Sequence, residues 1–200
     1  KIVGNQMVYR HDPPAGSGFL RTLLFGESGM IVDGNVLAVD PVFEPGFNAD
    51  DAIKIMNTGE NFGIFNKERM LSLDARNKVD DGDTLFYSFN GLRTQTYHVN
   101  ITPDNFESAT LLAFFEDRYT HTSTPLSLTD SNFIDFTITA DVASTSPTRF
   151  YIVFKSCSPV PVTWVSIKAR RTNNTMVEVK WVVDNDINIL KYETERSADG

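Results

Sequence analysis

The chain has 200 residues, of which 41% are hydrophobic, 15 are phenylalanine and one, Cys157, is cysteine. The net charge of −8 at pH 7 argues against nonspecific attraction to nucleic acid or to an anionic membrane. The single cysteine excludes an internal disulfide and a multi-cysteine zinc site. The sequence contains no run of about 18 apolar residues, so it predicts no membrane-spanning helix.

Short apolar runs separated by turn residues fill the first part of the chain. They predict strands at 6–10, 19–25, 36–39, 62–65 and 70–74, with a short strand or single turn at 52–56. Asp33-Gly34 is a strong hairpin signal between two of these runs, and Gly29 is a second turn signal. Residues 66–68 mark another hairpin.

The stretch from residue 83 to residue 154 is rich in Phe, Tyr, Val, Ile and Thr. It predicts strands at 84–89, 95–101, 109–116, 133–139 and 149–155. Most of them alternate apolar and polar residues, which is typical of an antiparallel sheet with one buried face. The continuously apolar run 110–115 fits either a central strand or a short buried helix. These patterns predict an all-β, antiparallel β-sandwich of jelly-roll or immunoglobulin-like type.

A proline-containing break divides the chain near residue 157. The predicted organisation is a β-sandwich domain at 1–156, a linker at 157–161 and the N-terminal part of a second domain at 162–200. Strands are predicted there at 162–169, 176–183 and 190–196. Three strands in about 40 residues rarely bury enough surface to stand alone, so they either begin a second sandwich or pack on the first.

The tail carries a recurrent pattern in segments 161–169, 177–181 and 192–200, read as PVTWVSIKA, VEVKW and YETERSADG. It resembles the fibronectin-III-like domain near the C-terminus of Bacteroidetes secreted proteins, ahead of a type IX secretion sorting domain. Trp164 replaces the usual Leu or Phe, and residues 184–186 replace the usual Ser-Glu. Residues 35–155 resemble, more loosely, the sandwich that often precedes this domain in large surface proteins.

This resemblance implies a function and a location. It implies a non-catalytic structural or adhesion segment of a secreted or cell-surface multidomain protein, exported by the type IX system to the outer cell surface or the medium. The implied partners are neighbouring domains of the same polypeptide and, through a sorting domain outside these 200 residues, the secretion machinery. The alternative is a carbohydrate-binding module of a secreted polysaccharide-degrading system, with a polysaccharide as partner.

Four carboxylates, those of Asp40, Glu44, Asp50 and Asp51, lie within twelve residues of one predicted loop. Calcium takes six to eight oxygen ligands, which loops between strands can supply. The spacing is not that of an EF-hand, so a solvated acidic loop is the alternative. A structural Ca²⁺ is the one candidate cofactor; none is predicted otherwise.

The aromatic residues Phe43, Phe47 and Tyr119, together with Phe115, are candidates for a sugar-stacking platform if they project from loops, although most phenylalanines must be core. Asp83-Thr84-Leu85 resembles the Bacteroidetes O-glycosylation acceptor, which makes Thr84 a candidate glycosylation site. No Gly-x-Ser-x-Gly elbow is present, and the three histidines are scattered in the sequence. The sequence therefore predicts no catalytic residue and no enzyme.

Overall fold

The computed structural model describes residues 17–106, 111–156, 163–174 and 176–184. The chain divides into two compact units, with the boundary between residues 157 and 158. The predicted strands at 6–10 and 190–196 and the predicted linker lie outside the described residues.

The first unit is built from strands in its described part. They are β1 (Gly18–Phe25), β2 (Ile31–Val39), β3 (Ala52–Ile53), β4 (Asn61–Asn66), β5 (Arg69–Arg76), β6 (Thr84–Asn90), β7 (Thr96–Asp104), β8 (Leu111–Asp117), β9 (Thr122–Leu126), β10 (Asn132–Thr137) and β11 (Phe150–Ser156). A 3₁₀ helix, Val142–Thr145, precedes β11. The all-β prediction is confirmed, and the apolar run 110–115 belongs to strand β8 and not to a helix.

The strands pair as one continuous mixed sheet in the order β10-β7-β1-β2-β5-β4-β6-β11-β8-β9, with β3 beside β5. The β2–β5 pair is parallel, whereas the other pairs are antiparallel. The antiparallel two-sheet sandwich is therefore not established by the pairing, because the hydrogen bonds join both halves through β5.

Strand β5 belongs to both halves of this sheet. Met70, near its start, pairs with Phe65 of β4, whereas Leu73, nearer its end, pairs with Val36 of β2. We call strands β10, β7, β1 and β2 the first half, and β4, β6, β11, β8 and β9 the second half. Strand β5 thus connects the two halves, because it pairs with the second half near its start and with the first half near its end.

Side chains from the two halves meet where no backbone pairing joins them. The hydroxyls of Thr22 in β1 and Tyr87 in β6 lie 2.8 Å apart, and the rings of Phe136 in β10 and Phe150 in β11 are 4.6 Å apart. The sheet therefore folds back on itself around the core. Its two terminal strands, β9 and β10, define what we call the open side.

The core is rich in aromatic side chains, and its side chains are almost completely buried. Its largest buried apolar side chains are Phe62, Tyr87, Tyr97, Phe150 and Phe154, packed with Leu20, Leu24, Leu37, Ile64, Leu71 and Leu85. They come from alternate positions of the strands, as a sheet with one buried face requires.

Two buried tyrosines are expected to resist ionisation. Burial raises the pKa of Tyr87 and of Tyr97 above the ordinary value of 10.0, and a hydrogen bond to Glu60 adds to the effect at Tyr97. In the unfolded chain both ionise near pH 10, so their contribution to stability is complete below that pH and is lost as the pH rises through the folded pKa. Absorbance at 295 nm should show two of the six tyrosines ionising only on alkaline unfolding. A simple titration of all six near pH 10 would contradict this.

The hairpin predicted between residues 19–25 and 36–39 is confirmed, with its turn at the Gly29 signal and not at Asp33-Gly34. Both residues lie inside β2, and the chain reverses earlier, where Gly29 has a φ of 76°. The carboxylate of Asp33 instead connects β2 to two other segments. It accepts hydrogen bonds from the Lys54 ammonium at 2.7 Å and from the Phe62 amide at 2.7 Å. Gly34 is closely packed, because a Cβ there would lie 2.8 Å from Cδ2 of Leu23 and 3.1 Å from the carbonyl oxygen of Thr22.

The second predicted hairpin, around residues 66–68, is confirmed between β4 and β5. Its turn residues Lys67 and Glu68 have φ values of 45° and 69°, a conformation that Asn and Gly adopt at lower cost. We expect Lys67→Asn with Glu68→Gly to stabilise the unit by about 0.5–1 kcal/mol. Thermal melts should show a midpoint higher by about 2–4 °C; an unchanged or lower midpoint would contradict the strain.

The second unit contains β12 (Thr163–Arg171) and β13 (Val177–Asp184), an antiparallel pair. Its register gives the pair two unlike faces. One face is mostly apolar and carries Trp164, Ile167, Ala169, Val177, Val179, Trp181 and Val183, with Arg171 opposite Val177. The other is mostly polar and carries Thr163, Ser166, Lys168, Arg170, Glu178, Lys180 and Asp184, with Val182 opposite Ser166. The two strands predicted at 162–169 and 176–183 are thus confirmed within one or two residues.

Candidate binding site

A slot of about 430 Å³ opens on the open side of the first unit, between β9 and β10. Its apolar wall is formed by Phe115, Ile134, Phe136 and Phe150. The rest is lined by Tyr119, Thr120, Thr122, Thr124, Thr137 and Thr139, with Asp117, Asp135 and Arg149. We refer to this cavity as the slot.

Arg149 fixes one end of the slot. Its side chain is fully buried and forms a bidentate pair with Asp117, with Nε to Oδ1 at 2.8 Å and Nη2 to Oδ2 at 2.6 Å. Its Nη1 donates to the carbonyls of Thr137 at 3.0 Å and Ser144 at 3.1 Å. The Arg149 side chain therefore forms hydrogen bonds to β8, to β10 and to the 3₁₀ helix from the residue that precedes β11.

Asp117 is held in its charged form. Burial alone would raise its pKa, but hydrogen bonds from the Arg149 guanidinium, the Tyr119 amide and Thr120 outweigh burial, so its pKa lies below the ordinary value. The amide of Tyr119 donates to Oδ1 at 2.8 Å. This bond positions the β8–β9 turn, from which Tyr119 reaches the slot.

The ring of Tyr119 packs on the guanidinium of Arg149, whose Cζ lies 4.7 Å from the ring centre. Its hydroxyl is 3.5 Å from Oγ1 of Thr139. Tyr119 is thus a half-buried aromatic side chain at a cavity, and its role in sugar stacking stays a prediction.

The other two aromatic candidates, Phe43 and Phe47, are not among the residues that line the slot with Tyr119. Phe47 also packs against the core and lies under Arg69, with Cζ 4.4 Å from the ring centre. The three rings therefore do not form a single platform.

The predicted calcium loop uses its carboxylates in backbone hydrogen bonds. Asp40 accepts from the Val42 amide and from Ser17, and these bonds lower its pKa. Asp51 accepts from the amides of Asn48 and Ala75, each at 2.9 Å. Asp50 accepts from the Glu44 amide at 3.4 Å.

Within residues 17–106, 111–156, 163–174 and 176–184, no group of three or more His, Cys, Asp or Glu side chains is arranged to hold a metal ion. Calcium binding therefore stays a prediction. If it binds there, calcium at a hundred times its dissociation constant should stabilise the chain by about 2.7 kcal/mol, and Asp50→Asn should remove the effect. Equal melting midpoints in calcium and in EDTA would contradict it.

The remaining sequence candidates are dispersed. Thr84, the glycosylation candidate, begins β6 opposite Val153 of β11 and is half-buried. His98 lies on β7, where its Nδ1 is 2.6 Å from Asp135 of β10, and His121 lies in the β8–β9 turn with a φ of 56°.

A larger cavity of about 670 Å³ was not predicted. It lies beside Gly26–Met30 and is lined by Glu60, Arg93 and Gln95. Glu60 accepts from the hydroxyl of the buried Tyr97 and from Nη2 of Arg93 at 3.2 Å. Glu60 stands in a turn-rich stretch with no motif around it, so the sequence held no signal for this cluster.

No helix among the described residues is long and apolar enough to span a membrane. Comparisons with protein-family models, with curated proteins and with solved structures found no match.

Proposed function

We propose that the chain is a non-catalytic structural or adhesion segment of a secreted or cell-surface bacterial multidomain protein that is exported by the type IX system. The observation that carries this proposal is the division of the chain into two consecutive compact units with only β-strands and one 3₁₀ turn in their described residues. Tandem β units of this kind hold neighbouring domains of one polypeptide at a set distance.

The charged side chains of the first unit support an architectural role. Arg149–Asp117, Lys54–Asp33 and Arg76–Asp74 are ion pairs with at least one nearly fully buried partner. Breaking a buried pair is strongly destabilising. Arg149–Asp117 and Lys54–Asp33 join different segments of the unit, whereas Arg76 and Asp74 lie on the same strand, β5.

The location can be tested on cells of the source organism with an antibody against the chain. Protease added to intact cells should remove the antigen, or the antigen should appear in the medium, while a cytosolic marker stays protected. Protection of the antigen until the cells are lysed would contradict an outer-surface or secreted location.

A second candidate function is carbohydrate binding, as a module of a secreted polysaccharide-degrading system. One observation favours it: Tyr119 stands in a slot that also holds several threonine hydroxyls. The predicted calcium loop at residues 40–51 does not support this candidate function, because none of its residues lines the slot.

A further inference from the structure

Asn35 places a polar side chain in the core of the first unit. It lies on β2 two residues before the buried Leu37, and residues two apart in a strand point to the same face. Asn35 is 4% exposed, and neither its Oδ1 nor its Nδ2 has a hydrogen-bond partner among the described residues. A side-chain amide can donate two hydrogen bonds and accept two, so this capacity is wholly unused within the described protein.

A buried amide in this situation calls for a partner that is not protein. Burying an amide without a hydrogen bond is unfavourable, and the large majority of buried side-chain polar atoms in native proteins have a partner, either protein or ordered water. Internal water molecules occur at about one per 27 residues and satisfy such groups. A unit of this size is therefore expected to hold several of them.

Two hydroxyl groups beside Asn35 have capacity left over as well. Thr22 of β1 pairs with Asn35, so their side chains share one face with Cβ atoms about 4.5–5.5 Å apart. Oγ1 of Thr22 is 2.8 Å from the hydroxyl of Tyr87 in β6, and either oxygen can donate. Only one of the two hydroxyl hydrogens lies in that bond. The other has no acceptor among the described residues.

The charged groups nearest to Asn35 in the strand are already engaged. Asp33, two residues earlier on the same face, accepts from Lys54 through Oδ1 and from the Phe62 amide through Oδ2. Asn35, Thr22 and Tyr87 carry no charge, so they suit a neutral ligand rather than an ion. The ligand must accept from a hydroxyl and also donate to, or accept from, an amide, and water does both.

We propose that the core of the first unit holds an internal water molecule bound to Asn35 and to the Thr22–Tyr87 hydroxyl pair. The water accepts the hydroxyl hydrogen that the pair leaves over and donates to Oδ1 of Asn35. It thereby joins β2 and β1 of the first half to β6 of the second half, where no backbone pairing connects them. This inference is independent of both candidate functions.

A crystal structure of the full 200-residue chain tests the site directly. We expect an ordered water oxygen at about 2.7–3.2 Å from the Asn35 side chain and from the hydroxyl of Thr22 or Tyr87. Direct hydrogen bonds from the Asn35 amide to protein groups, or the lack of a water at these distances, would overturn the proposal. This measurement needs no variant, so it decides the question even if a variant fails to fold.

Oxygen-17 relaxation dispersion of the solvent, which counts long-lived internal water molecules, tests the site in solution. Asn35→Leu has a similar volume and removes the amide, so the dispersion amplitude should fall by the equivalent of one water. Asn90→Leu is the matched control, because Asn90 is exposed, and it should leave the amplitude unchanged. Equal amplitudes for wild type and Asn35→Leu, with the same far-UV circular dichroism, would contradict the site.

Discussion

Arg149→Met is expected to lower the free energy of unfolding of the first unit by about 3–5 kcal/mol. The substitution leaves the Asp117 carboxylate, whose side chain is 8% exposed, without its compensating charge, and removes the donors to the Thr137 and Ser144 carbonyls. Urea unfolding followed by far-UV circular dichroism measures it, because both tryptophans, Trp164 and Trp181, lie in the second unit.

Arg118→Met is the matched control for this change. Arg118 is exposed, donates to the Thr148 carbonyl and stacks near Tyr151, so its loss should cost about 1 kcal/mol or less. Adding Asp117→Asn to Arg149→Met should recover part of the loss, because it removes the buried charge.

The pH dependence gives a further check on the Arg149–Asp117 pair. The pKa of Asp117 is lowered in the folded protein, so its contribution to stability is present above the unfolded value near pH 4 and is lost as the pH falls through the folded pKa. The difference between wild type and Arg149→Met should therefore shrink in acid. A difference independent of pH, or one below about 1 kcal/mol at neutral pH, would contradict the assignment.

Phe150→Ala is expected to cost about 3–5 kcal/mol. Its ring lies 4.6 Å from that of Phe136, 5.2 Å from Phe115 and 5.9 Å from Phe89, so truncation leaves a cavity where both halves of the sheet meet. Phe133→Ala is the control, since Phe133 is 76% exposed, and its removal should change stability by less than about 0.5 kcal/mol. Equal losses from both variants would show that Phe150 does not join the halves.

Local alternation was enough to predict the strands. The predicted segments 84–89 and 149–155 correspond to β6 and β11 within one residue at each end, because apolar residues at every second position leave one register that buries them. Strand β9 was missed since its sequence, TSTPL, has polar residues on the face that the core would require. The same polar residues, Thr122 and Thr124, line the slot.

Pairing partners were not predictable in the same way. The parallel alignment of β2 with β5 depends on contacts far apart in sequence, and alternation is the same for parallel and antiparallel neighbours. Asp33 shows why the Asp-Gly signal gave the wrong turn position. Its carboxylate pairs with the buried ammonium of Lys54, which is distant in sequence, and Asp33 lies within strand β2. Of the candidate site, Tyr119 and Phe115 were named from sequence. Arg149 and Asp117 become a pair only through the β8–β11 ladder.

The pairing of β1 with β7 has a consequence for how the chain folds as it is made. Residues 19–25 pair with the nearby strand β2 on one side and with residues 98–104 of β7 on the other, so the second edge of β1, which carries the buried Leu20 and Leu24, has no partner until residue 104 has been synthesised. Contacts this distant in sequence slow folding and leave early segments open to aggregation. A nascent chain that contains β1 and β2 but not yet β7 therefore exposes one edge of β1 while synthesis continues.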